Sequence, residues 1–65
     1  LSIQESSHHD DIKSRAMDLL SAFRQVPTVR ESAGHASDGE AHANLKLAQR
    51  HLEDAVYRAV KALTA

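Results

Sequence analysis

The sequence has no cysteine and no tryptophan, and only one phenylalanine, one tyrosine, one proline and two glycines. Without cysteine there is neither a disulfide nor a thiolate zinc site to staple a small fold. With so few large aromatic side chains, a self-contained core is hard to build. No apolar run approaches the ~20 residues that a membrane span needs. Leu1 to Glu5 lacks the basic start and apolar stretch of a signal peptide, so a soluble intracellular protein is the expectation. Neither sign of charge dominates, with eight Lys and Arg against nine Asp and Glu. A protein that wraps DNA or RNA would carry a dominant basic face, so nucleic-acid polymers are not expected partners. A small anion, which needs only a few placed cations, stays compatible.

What remains is 65 residues, one domain at most. A chain this short buries only ~60% of the surface that its unfolded form exposes. Small folds compensate with disulfides, a metal or oligomerisation, and the first is excluded here. Oligomerisation is therefore the first expectation.

Apolar periodicity supplies two helices. Ile12, Ala16, Leu19, Leu20 and Phe23 fall on one stripe of a 3.6-residue helix, with Met17 and Val26 beside it. The spacing predicts a helix over about 8–26, with Ser7 as N-cap and Asp10 completing a capping box. Asp10 and Asp11 would then sit in the first turn, where the helix dipole favours negative charge. Pro27 would end the element. Residues 27–38 read as a loop. The run "SDGE" predicts Ser37 as N-cap with Glu40 as its partner, opening a second helix over about 39–63. Ala41, Leu45, Ala48, Leu52, Ala55, Val56, Ala59 and Leu63 follow a near-heptad alternation, widened by Leu47 and Val60. The fold class expected is all-α: an antiparallel two-helix hairpin over residues 1–65, assembling into a symmetric homo-oligomeric helical bundle.

The segment "HHDD", residues 8–11, invites a metal reading. Neighbouring helical residues point about 100° apart, so His8 and His9 cannot chelate as an i, i+4 pair would. His35, His42 and His51 complete no HxxxH or HExxH pattern. No metal and no cofactor is expected, and helix capping is the favoured reading. Catalysis lacks its parts as well: no cysteine nucleophile, Gly-rich phosphate loop or serine elbow occurs. The chain is not expected to be an enzyme. The cations remain. Lys13 lies beside Ile12 at the apolar stripe, where its methylenes can cover apolar surface and present the ammonium at an edge. Lys46 and Arg50 lie four apart on the second helix, and Asp54 stands where it can neutralise Arg50 or Arg58.

Two stretches, "HHDDIKSRAMDLLSAF" (8–23) and "NLKLAQRHLEDAVYRAVKAL" (44–63), resemble the helical-hairpin domain of the phage anti-CBASS and anti-Thoeris cyclic-oligonucleotide sponge family. The matching features are an "IK" on the first helix and an "LxLAxxxLExAxxRAVKAL" run on the second. The resemblance implies a viral immune-evasion protein in the cytoplasm of the infected bacterial host. Such a protein sequesters cyclic dinucleotides such as cyclic GMP-AMP without hydrolysing them. It also implies homohexamers with ligand pockets between protomers and, in some members, cyclic trinucleotides near the three-fold axis. Lys13 would contact the nucleotide or its phosphates. The stacking aromatic that some members carry upstream of this lysine has no counterpart before Phe23, and His8 or His9 is the candidate substitute, since an imidazole can stack on a base. An arginine common at the start of the second motif is replaced near Ala43, which weakens the trinucleotide expectation. Arg50 stands where the family often has a small polar residue, and it completes the candidate ligand-binding set of Lys13, His9, His8 and Arg50. The alternative to a sponge is a purely structural oligomerisation hairpin with no small ligand.

Overall fold

A computed structural model describes residues 2–65. Among them every regular element is helical: α1 (Ile3–Arg24), α2 (Val26–Ser32) and α3 (Gly39–Thr64). α1 and α3 pack antiparallel along their length, and α2 prolongs α1 beyond a bend at Gln25.

α1 begins five residues earlier than the periodicity predicts. Ser2, not Ser7, is the N-cap: its hydroxyl accepts from the Glu5 amide at 3.1 Å, and Glu5 Oε1 accepts from the Ser2 amide at 3.2 Å. "SIQE" and "SHHD" both spell capping boxes, and the earlier one starts the longer helix, in which each added residue gains a backbone hydrogen bond. His8, His9, Asp10 and Asp11 therefore lie inside the helix, away from its dipole terminus. Asp11 instead faces Arg15 one turn on, with Arg15 Nε 3.0 Å from Oδ1 and 3.1 Å from Oδ2.

Pro27 does not open a loop. It occupies the first turn of α2, where a missing N–H costs nothing because no intrahelical acceptor exists for it. The predicted 27–38 loop thus shrinks to residues 33–38. α2 ends in a Schellman motif: the His35 amide donates to Arg30 O at 2.9 Å and the Gly34 amide to Glu31 O at 3.0 Å. Gly34 has φ +87°, the left-handed conformation that this motif needs and that a Cβ penalises.

α3 is capped by Asp38, not Ser37: Asp38 Oδ1 accepts from the Glu40 amide at 2.8 Å. Asp38→Ala is expected to lower stability by about 1 kcal/mol. For a domain of this size that is a fall in melting temperature of about 4–8 °C, readable by circular dichroism.

The seam follows the apolar pattern. Ile12, Ala16, Leu20 and Phe23 of α1 are half-buried, as are Leu45, Ala48, Leu52, Val56, Val60 and Leu63 of α3. Several expected positions miss it: Leu19 on α1 is 46% exposed and Met17 beside the stripe 69%, and on α3 Leu47, Ala55 and Ala59 are exposed, because each lies to one side of the contact line between the helices. Among the described residues no side chain is fully buried. Two helices have one line of contact, so each seam residue is covered from a single direction. The radius of gyration, 15.4 Å, exceeds the roughly 11 Å of a globular chain of this length. The 49 × 18 × 8 Å extents are those of a flat two-helix ribbon.

Candidate functional site

One side of the ribbon carries a groove of about 430 Å³, within the ~300–1,000 Å³ range of small-molecule pockets. Its floor is the seam viewed from one side: Ala16 and Leu20 of α1 opposite Leu52, Val56 and Val60 of α3. Its polar groups come from both walls. α1 contributes His9 and Lys13 with Met17, and α3 contributes Glu53 and Tyr57. Residues 9, 13, 16, 17 and 20 fall on one flank of α1 because steps of three and four residues return to the same side of a helix. The same rule aligns 52, 53, 56, 57 and 60 on α3.

Two of the four residues singled out from the sequence, Lys13 and His9, are thus brought together. His9 is held half-buried, with Nδ1 3.7 Å from Asp10 Oδ1. Lys13 is exposed, and among the described residues it has no ion-pair partner. The other two lie elsewhere. His8 turns to the opposite flank of α1, into a separate hollow of about 570 Å³ with Gln4, Glu5, Ser7, Asp11 and Leu63. The 100° step between neighbours that rules out chelation by His8 and His9 also separates them here. Arg50 does not line the groove, although it shares the flank of Glu53 and Tyr57, three and seven residues before them. Asp54 is bonded to Arg58 at 3.1 Å rather than to Arg50, which leaves Arg50 without an ion pair among the described residues.

Tyr57 and Glu53 are groove residues that the spacing argument passes over. Tyr57 lies off the apolar repeat of α3, at an unspecified position of the run that carries the resemblance. Tyr57 is 58% exposed, and Lys61, one turn on, places Nζ 5.1 Å from the ring centroid. The available signal was the Glu53, Tyr57, Lys61 spacing of four, which puts an acceptor, an aromatic ring and a cation in line along one helix.

A second concavity, about 490 Å³, lies at the loop end, lined among others by Arg30, Glu31, His35, Asp38 and His42. It mixes both signs of charge, and Arg30 is engaged there by the chain itself, donating from Nη2 to Ala36 O at 3.4 Å. No group of three or more His, Asp or Glu among the described residues is placed to hold a metal ion.

No family model matches the chain, and neither a curated protein nor a solved structure matches it. The sponge-family expectation therefore stands on stretches 8–23 and 44–63 alone, and the groove has to be judged by its chemistry.

Proposed function

We propose that the protein is a non-catalytic, homo-oligomeric sponge that sequesters cyclic dinucleotide immune signals, and secondarily cyclic trinucleotides, so blocking bacterial anti-phage defence in the host cytoplasm. The observation that carries this reading is the convergence of Lys13 and His9 on an apolar groove that also contains an exposed aromatic ring. A base needs an apolar or aromatic surface and a phosphate needs a cation, and the groove offers both. The resemblance of the two stretches points to the same class and supplies the hexameric state. Among the described residues no helix is long and apolar enough to cross a membrane.

The second reading, a structural oligomerisation hairpin, is favoured by the absence of any fully buried side chain among the described residues. Calorimetric titration with a panel of cyclic di- and trinucleotides separates the two. Sequestration predicts saturable heat with at least one member of the panel, and intact ligand recovered after heat denaturation. No heat with any member leaves the structural reading, and recovery of linearised ligand overturns the non-catalytic assignment.

A further inference from the structure

α3 presents Glu53 and Tyr57 along one edge of the groove and Lys61 one turn beyond its lining, a rise of about 12 Å over eight residue steps. The three groups differ in chemistry and in what they leave free. Glu53 is exposed and has neither a hydrogen bond nor an ion pair among the described residues, so a ligand donor would replace only water at its carboxylate. Tyr57 has one ring face under the Lys61 ammonium, while the opposite face is not engaged by that cation. Lys61 is a cation positioned by the ring beneath it. Lys13 adds a second cation from α1 across the groove.

Resting on the sponge reading, we propose that Tyr57 is the base-stacking platform of the groove and that Glu53 selects guanine. Stacking asks only for a flat ring, and any base satisfies it. Selection comes from the edge. An ionised carboxylate only accepts hydrogen bonds, and guanine is the base whose Watson–Crick edge carries two adjacent donors, N1–H and the 2-amino group. Adenine offers one donor beside an acceptor, and its ring nitrogen would face the carboxylate unpaired. Lys61 over the ring and Lys13 across the groove are the cations available to the phosphates of the stacked nucleoside. The stacking function assigned from sequence to His8 or His9 passes to Tyr57. His8 lies on the other flank of α1, and His9 remains beside Lys13 as a further polar contact.

Cyclic di-GMP and cyclic di-AMP are the probes. Tyr57 is the only tyrosine in a chain without tryptophan, so the intrinsic fluorescence of the unaltered protein reports this one ring. Saturating cyclic di-GMP should quench that fluorescence beyond the loss shown by free tyrosine at the same absorbance. By calorimetry the unaltered chain should prefer cyclic di-GMP about 10-fold or more, and Glu53→Gln should erase the preference. Tyr57→Leu should weaken both ligands about 10- to 100-fold while Tyr57→Phe, which keeps the ring, stays near the parent. Binding without quenching, or equal affinity for the two ligands in the unaltered chain, overturns this assignment while leaving the sponge reading in place. Absence of binding to any cyclic nucleotide overturns both.

Discussion

Lys13→Ala is expected to weaken cyclic dinucleotide binding by about 10- to 150-fold, the range for losing one charge-assisted hydrogen bond. A two-fold ligand that meets Lys13 from two protomers would lose more. The residue is exposed on α1 and among the described residues takes part in no ion pair, so the fold has no structural use for its charge. Helix content, melting temperature and sedimentation coefficient should therefore match the parent. Alanine is the better helix former, so any small change in helix stability should be favourable. Calorimetry on the parent and the variant under one buffer, with sedimentation on the same samples, is the check. Unchanged affinity would remove Lys13 from the site, and a changed sedimentation coefficient would make it an assembly residue instead. Arg50→Ala is the internal control. It removes an equally free cation from the same flank as Tyr57 but outside the groove lining, and it should cost less than Lys13→Ala.

The second large effect concerns assembly. The chain exposes 5305 Å², whereas a globular monomer of 7.1 kDa would expose about 4,100 Å². The excess, about 1,200 Å² per chain, is more than the ~800 Å² that each partner of a standard interface buries. Hydrophobic stabilisation scales with area removed from water, and a ribbon covered from one direction falls short of the entropy that its folding must offset. Folding and association should therefore be coupled. Melting temperature should rise with protein concentration across the micromolar range, as mass action requires when only the oligomer is stably folded. Leu52→Asp, which places a carboxylate on the seam and on the groove floor, should leave no helical signal at the concentrations where the parent is folded. A melting temperature independent of dilution would show that the single hairpin is stable by itself, and the need for partners would fall with it. A ligand held by the oligomer should raise the melting temperature further, so the two experiments can be run on one sample series.

Much of the hairpin is legible in the sequence. The half-buried seam follows most of the apolar stripe read from spacing, with Ile12, Ala16, Leu20 and Phe23 on one helix and Leu45, Ala48, Leu52, Val56 and Leu63 on the other, while Leu19, Ala55 and Ala59 fall outside it and Val60 joins it. Spacing works because a helix returns the same side every three to four residues, whatever the partner. Boundaries were less legible. "SIQE" competes with "SHHD", and Asp38 with Ser37, as equivalent caps by residue type, and local chemistry alone does not rank them. Pro27 was misread for a related reason: proline both ends one helix and suits the first turn of the next. Which of these applies depends on whether the following residues can continue, as Thr28 to Ser32 do.

The candidate site was legible only in half. Lys13 stood out because its place beside Ile12 on an apolar stripe puts it at an edge. Tyr57 and Glu53 did not, since their importance comes from what α1 sets opposite them.

The sequence by itself determined two amphipathic helices, a break between them, the absence of disulfide chemistry and the want of enough apolar bulk for a solitary core. These are consequences of local geometry and composition, and they need no knowledge of distant neighbours. Only the tertiary structure decided which flank of each helix faces which. It set His9 and Lys13 across from Glu53 and Tyr57, sent His8 to the other side and left Arg50 beyond the groove. Residues some forty positions apart in the chain become neighbours only through antiparallel packing, and the register of that packing is set by how two whole apolar stripes interlock, which no single motif contains.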